Sequence, residues 1–217
     1  MSTLDAFVHL HVPATEPGEA RSLLLLHGTG GDEADLLPLA SDLLPGAAIL
    51  SPRGQVLERG MPRFFRRHAE GVLDRDDLLA RAHGLAEWVE AAAARYRLDR
   101  RRMFALGYSN GANIAAAMLL LRPGTVAGAL LLRPMTLPIG PEEAGALGGT
   151  PVRIASGARD PVVPAGDADR LAGLLRGAGA DVEVAIHPAA GHGPLAPELE
   201  ASAVWLERHS ARLGAAA

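Results

Sequence analysis

A short apolar run, Met103-Phe104-Ala105-Leu106, ends in Gly107-Tyr108-Ser109-Asn110-Gly111 and passes without a spacer into the helix-forming stretch Gly111 to Leu121. Few segments constrain a fold so tightly. A strand that turns straight into a helix around one residue must hold that residue in a strained conformation, and glycines two positions to either side remove side chains that would collide there. The turn projects the Ser109 hydroxyl at the strand's carboxyl end. It also sets the residue at a helix N-terminus, where free N–H groups and the helix dipole favour negative charge. The pentapeptide alone would equally suit an ordinary turn with a capping serine. The strand before it and the Ala-rich helix behind it favour the strained elbow.

The remaining chain alternates in the same way. Ser22–Leu26, Ala47–Leu50, Val126–Leu132, Val152–Ala155 and Val182–Ile186 are short apolar runs of the kind that strands buried on both faces show. Phe7–Val12 reads as an earlier edge strand. Helical patterns lie between them at Glu33–Leu44, Asp74–Tyr96, Asp167–Ala178 and Pro197–Leu213. Strands alternating with helices predict an α/β fold, a mostly parallel central sheet flanked by helices. The 217 residues suit one such domain over 1–217, and no stretch is long enough to form a cap, so an open site is expected.

Composition removes several chemistries. There is no cysteine, which excludes a thiolate nucleophile, disulfides and thiolate metal sites. Every basic residue is arginine, so Schiff-base and Ser–Lys mechanisms are excluded as well. The net charge of −4 gives no global attraction to nucleic acid. The longest apolar run, Ile114–Leu121, is too short to span a bilayer, and no secretory signal opens the chain, so a cytoplasmic location without membrane association is expected.

A serine hydroxyl is a weak nucleophile near neutral pH and needs a base, which in turn needs orienting. Two loops supply candidates in the chain order this turn type implies, Ser, then Asp or Glu, then His. Asp160 follows the strand Val152–Ala155 in Ser156-Gly157-Ala158-Arg159-Asp160-Pro161. His192 follows Val182–Ile186 in Gly191-His192-Gly193. Asp167 and Asp169 fall in a helix and read as solvated or capping, and His187 sits against Pro188 where it closes a loop. His9 and His11 share one face of a strand, but with no third ligand in view they read as residues of an exposed edge strand rather than a metal pair. No cofactor and no metal are expected.

The strand Ser22–Leu26 runs into His27-Gly28-Thr29-Gly30-Gly31, a glycine loop whose backbone can approach a substrate closely. Such loops contribute an N–H to an oxyanion hole, which assigns the two donors to the N–H groups of Thr29 and Asn110. This loop, with Gly107–Asn113 and Asp160-Pro161, resembles the phospholipase/carboxylesterase branch of the α/β-hydrolases. Ser51-Pro52-Arg53-Gly54 and Gly60-Met61-Pro62-Arg63-Phe64-Phe65-Arg66-Arg67 further resemble the bacterial hydroquinone-associated hydrolases, the MhqD-like group. The resemblance runs from about Leu23 to the C-terminal helix.

The resemblance implies a metal-free serine carboxylesterase with Ser109, His192 and Asp160 as its triad, while few aromatics and no cap point to small to medium acyl groups. It leaves room for a homodimer. Dienelactone hydrolases proper normally use a cysteine that this chain lacks. Two departures bear on the pocket: Gly193-Pro194-Leu195 replaces a polar segment of the Gln-Leu-Thr kind after the histidine, and Arg133-Pro134-Met135 stands where His-Pro-Met is usual. Candidate substrate contacts are Met61, Arg63, Phe64, Phe65 and Arg66, with Gly28 and Val163 from neighbouring loops. Arg63 or Arg66 could hold a substrate carboxylate. The alternative is that the aromatics join the core and the arginines pair with Glu70 or Asp74. The rival activities are a thioesterase or lysophospholipase on the same machinery, or a stress-response module that binds without turnover.

Overall fold

The computed structural model describes residues 3–16 and 18–214. In chain order its elements are β1 (His9–Val12), β2 (Ser22–Leu26), α1 (Leu37–Leu43), β3 (Ala48–Pro52), β4 (Val56–Glu58), β5 (Met61–Arg63), β6 (Arg67–Ala69), β7 (Val72–Leu73) and α2 (Arg75–Tyr96). They continue with β8 (Met103–Tyr108), α3 (Asn110–Leu121), β9 (Gly128–Leu132), β10 (Pro151–Gly157), α4 (Asp167–Gly177), β11 (Asp181–His187) and α5 (Ala196–Gly214).

Seven strands form one sheet in the order β1-β3-β2-β8-β9-β10-β11. Only β1 is antiparallel, paired with β3. The alternation of strand side chains explains why helices cover both faces. Leu24, Leu26, Ala105, Leu131 and Ile154 join α2, α3 and α4 in one core. Their neighbours Leu23, Leu25, Phe104, Leu106 and Leu130 join α1 and α5 in the other. A period of two with both phases apolar produces a central strand buried on each side. This is the mostly parallel, helix-flanked sheet that the alternating pattern predicts. No helix among the described residues is long and apolar enough to cross a membrane.

Three elements differ from expectation. The first helix starts at Leu37 rather than Glu33, with Pro38 in its first turn; proline is tolerated there and disfavours helical backbone just before it. The stretch 56–73 forms two small hairpins, β4–β5 and β6–β7, where only a loop is legible. The first turns through Arg59 (φ 51) and Gly60 (φ 83), two positive φ values in succession as a tight hairpin requires. On β1, His9 and His11 are half-buried rather than exposed: His9 Nε2 meets the Tyr96 hydroxyl at 2.8 Å, and His11 stacks on the Tyr96 ring at 4.1 Å.

Parallel strands deliver their carboxyl ends to one rim. Strand order reverses between β2 and β8, and ligand sites of open α/β sheets lie outside such a switch point. The glycine loop after β2 and Ser109 after β8 both emerge there.

Candidate active site

Ser109 sits between β8 and α3 with φ 52 and ψ −112, a conformation a residue with a side chain rarely adopts and one that costs about 1–3 kcal/mol. Its own backbone holds it there. The Ser109 N–H donates to Leu132 O at 2.8 Å, and Asn113 N–H donates to Ser109 O at 3.0 Å. A Cβ on Gly107 would stand 2.5 Å from Gly111 O, and one on Gly111 would overlap Leu26 O. Gly111→Ala is therefore expected to destabilise the fold by about 3 kcal/mol, at the upper end for overpacking, because the obstacle is strand backbone rather than a movable side chain. Urea unfolding would measure it; a midpoint equal to wild type would contradict the close approach.

The acid and the imidazole arrive from the loops after β10 and β11. His192 Nε2 lies 3.0 Å from Ser109 Oγ, and His192 Nδ1 lies 2.9 Å from Asp160 Oδ2. Asp160 Oδ1 also accepts from Val162 N–H at 2.8 Å and Val163 N–H at 3.1 Å. Burial alone would raise the Asp160 pKa, but the Val162 N–H, His192 and Val163 N–H bonds outweigh it and leave the pKa below the ordinary carboxylate value. An ionised carboxylate only accepts, so Nδ1 carries the imidazole proton and Nε2 is free to accept from the serine hydroxyl. His187, the alternative histidine, ends β11, and its Nε2 is buried without a partner.

The glycine loop is shaped by a buried histidine. Gly54 N–H donates to His27 Nε2 at 2.9 Å, so the ring proton is on Nδ1, which donates to Gly28 O at 2.6 Å. Gly30 N–H donates to Pro62 O at 2.9 Å, tying the loop to β5. Asn110 opens α3, so its N–H has no acceptor within the helix. Among the described residues neither this N–H nor that of Thr29 meets a backbone acceptor.

Burial lowers the His27 pKa, against smaller opposing effects from Gly28 O and the nearby carboxylates. The sign follows: the unfolded chain takes up this proton first, so stability is full above the ordinary histidine value of about 6.5 and falls as pH drops below it, by at most about 1.4 kcal/mol per unit. A Gln amide can donate and accept in the same two directions without titrating. His27→Gln is thus expected to flatten the decline in melting temperature between roughly pH 7 and 5; parallel wild-type and variant curves would refute it.

In the segment after Gly60 the structure follows the second of the two readings, aromatics in the core and arginines in ion pairs. Phe64 and Phe65 are 3% and 0% exposed and belong to the core around α2, so they do not wall an open cleft. Two aromatic rings gain more by full burial than by facing solvent. Arg63 is buried too: Nη1 donates to Thr29 Oγ1, Nε donates to Phe65 O at 3.2 Å, and Nε lies 3.2 Å from Glu58. Arg66 turns away to Asp74 and Asp77, at 3.1 and 3.4 Å, while Arg67 pairs with Glu58 and Glu70. With these bonds in place, Arg63 and Arg66 are not poised to clamp a substrate carboxylate.

The other three candidates divide. Met61 is 39% exposed and lies over Gly30 beside the glycine loop. Val163 faces a cavity of about 230 Å³ behind the acid loop and supports Asp160 through its N–H. A Cβ on Gly28 would stand 2.8 Å from the Tyr108 ring, so Gly28 lets the loop pack on that ring.

Tyr108 and Arg133 are the neighbours that the motifs do not reveal. Tyr108 donates its hydroxyl to His192 O at 3.2 Å, and burial keeps its pKa above the ordinary phenol value. It is the variable position of the elbow, so its own motif gives it no role. Arg133 is fully buried beneath residues 191–193 instead of lining a pocket. Its one sequence signal is the departure from His-Pro-Met. No group of three or more His, Asp or Glu among the described residues is arranged to hold a metal ion.

A hydroxyl, an imidazole and a carboxylate thus stand in line at the carboxyl ends of β8, β11 and β10. Residues 67–212 match the model of the dienelactone hydrolase family. The chain belongs to this family. MhqD of Bacillus subtilis (strain 168) is 46% identical over 162 residues, 75% of this chain and 80% of that protein. The crystal structure of a Bacillus cereus carboxylesterase superposes with a TM-score of 0.88 at 41% identity, covering 94% of this chain and 95% of the other. A carboxylesterase from Mesorhizobium loti superposes at 0.86 with 33% identity, covering 93% and 95%. The family is one of hydrolases, and this member of it places Ser109 in the elbow and contains no cysteine.

Proposed function

We propose that the protein is a serine carboxylesterase that hydrolyses small to medium carboxylic esters through an acyl-enzyme. One observation carries this reading. Ser109 Oγ, both nitrogens of His192 and the Asp160 carboxylate form a continuous hydrogen-bonded line with steps of 3.0 and 2.9 Å. Names of the two superposing carboxylesterases agree with it.

In this mechanism the Ser109 oxygen attacks the ester carbonyl carbon as His192 Nε2 takes the hydroxyl proton. Negative charge on the carbonyl oxygen falls to the N–H groups of Thr29 and Asn110, and losing one such donor typically costs on the order of 100- to 1,000-fold in turnover. Asp160 keeps Nδ1 protonated and balances the imidazolium. That imidazolium gives its proton to the departing alkoxide, leaving the acyl group on Ser109. Water then attacks the acyl carbon with His192 again as base, and the serine leaves with the proton. Small to medium acyl groups follow from a site with no cap and from the burial of Phe64 and Phe65, which gives the cleft no aromatic wall from that segment.

The test compares p-nitrophenyl acetate, butyrate and octanoate with an acyl-thioester, and treats the protein with a fluorophosphonate. Ester turnover that is fastest for the shorter chains, together with labelling of Ser109 that blocks it, is the expected result. Labelling elsewhere, or thioester cleavage far outpacing every ester, would overturn it.

A further inference from the structure

The residues on either side of His192 do little to stiffen its loop. Gly191 and Gly193 flank the imidazole, and glycine leaves the backbone more conformational freedom than any other residue. Neither glycine is imposed by crowding: a Cβ on Gly193 would meet nothing within 4 Å, and one on Gly191 only Arg159 O at 3.8 Å. Neither has a positive φ. Yet an imidazole that shuttles a proton must be held to a fraction of an ångström, since a misplacement of about 1 Å can cost on the order of 100-fold in rate.

Three successive carbonyls of this loop are held from below. Arg133 Nε donates to Gly191 O at 2.9 Å, the Tyr108 hydroxyl to His192 O at 3.2 Å, and Arg133 Nη2 to Gly193 O at 3.0 Å. The remaining guanidinium donors are also placed. Arg133 Nη1 donates to Ala155 O at 3.0 Å and to Glu198 Oε1, and Nη2 donates to Glu198 Oε2 at 2.8 Å. All five N–H donors of the planar fork are thereby used. Arginine and glutamate side chains are both 0% exposed, and Arg133 itself sits at φ 59, a strained value for a residue with a side chain.

A buried ion pair is a poor way to add stability, because desolvation offsets most of its attraction. Two rigid ends joined by a fixed fork are, however, a good way to set a distance. We propose that Arg133, anchored by Glu198, is a positioning residue that fixes His192 against Ser109 and Asp160 by clamping the carbonyls on either side of it. Arg133 touches neither the hydroxyl nor the ester. Arg133 Nε also lies 3.9 Å from Asp160 Oδ2, so Arg133→Lys, which keeps the charge, separates the effect through the loop backbone from that ion contact. The proposal rests on His192 being the base of the proposed esterase.

Arg133→Met alone would strand Glu198 as a lone buried charge, so the test uses Arg133→Met with Glu198→Gln, which keeps volume and removes both charges. Glutamine also retains an oxygen for Leu195 N–H, which Glu198 Oε2 now accepts at 3.3 Å. Two readouts are taken on the folded double variant. The first is the NMR signal of the His192 Nδ1 proton, identified by its absence in His192→Ala. In wild type the Asp160 bond holds it downfield. In the double variant it is expected to broaden or vanish as the imidazole leaves its place. The second is kcat for p-nitrophenyl acetate, expected to fall on the order of 100-fold with KM little changed. Arg133→Lys, which keeps the charge but has no fork to span two carbonyls, is expected to lose the signal as well.

A sharp His192 proton signal in the double variant, or in Arg133→Lys, overturns the positioning role. The proton signal is independent of turnover. If wild type hydrolyses no ester while the signal still depends on Arg133, the esterase reading fails and the clamp stands.

Discussion

Ser109→Ala is expected to lower kcat for p-nitrophenyl acetate by on the order of 100,000-fold or more, since a nucleophile and its base act as one unit and removing either removes the acylation route. On the proposed mechanism, what remains is binding of the ester beside the Thr29 and Asn110 N–H groups, which would polarise its carbonyl without attacking it. The loss is separable from unfolding. Among the described residues Ser109 makes no side-chain capping bond, and its hydroxyl meets only His192, at 3.0 Å. Its strained φ of 52 is imposed by the flanking glycines and by the bonds of its backbone, all of which alanine keeps. Stability within about 0.5 kcal/mol of wild type is the expectation. Circular dichroism and urea unfolding beside the esterase assay would show both results together.

Asp160→Asn is expected to reduce kcat by about 10,000-fold while leaving KM close to its wild-type value. The carboxylate receives three N–H groups, from Val162, Val163 and His192. An asparagine has one oxygen, and the two fixed backbone donors hold it. Its NH₂ then faces His192 Nδ1, which must accept, and the imidazole proton moves to Nε2. A protonated Nε2 points at Ser109 and cannot take its proton. Raising the pH does not restore the rate, because the tautomer rather than the charge is wrong. The same substitution alters stability in acid. The lowered pKa of Asp160 adds stability that is complete above the unfolded carboxylate value near about 3.9 and is lost as pH falls through the lower folded value. That part of the acid dependence is absent in Asp160→Asn.

The elbow is legible because a strand turning straight into a helix needs particular residue types at particular places. Gly107 and Gly111 are dictated by contacts with Gly111 O and Leu26 O that only a strand turning into a helix creates. Chain order then pointed to Asp160 and His192, and the structure brings both onto one line with Ser109. The seven-stranded sheet was legible because both phases of its strands are apolar. Two- and three-residue strands such as β7 and β5 leave no such period, so the hairpins of 56–73 read as loop in the sequence, although Arg59-Gly60 holds the turn signal.

Side-chain direction was the harder matter. Arg63, Phe64, Phe65 and Arg66 lie next to the site in sequence and in space, yet nothing in a run of arginines and aromatics says which way each one turns. Burial of Phe65 and the attraction of Asp74 and Asp77 for Arg66 are decided by α2, a distant element. Arg133 was visible as a departure from a motif, but its role depends on Gly191, Gly193 and Glu198 closing around it.

The most direct test of the account is to mix the protein with p-nitrophenyl acetate, quench in acid within the first turnover, and read the peptide that contains Ser109 by mass spectrometry. The account predicts a burst of nitrophenolate with one acetyl group on that peptide at Ser109, and neither in Ser109→Ala. Steady hydrolysis with no burst and no acetylated Ser109, undiminished in Ser109→Ala, would contradict it.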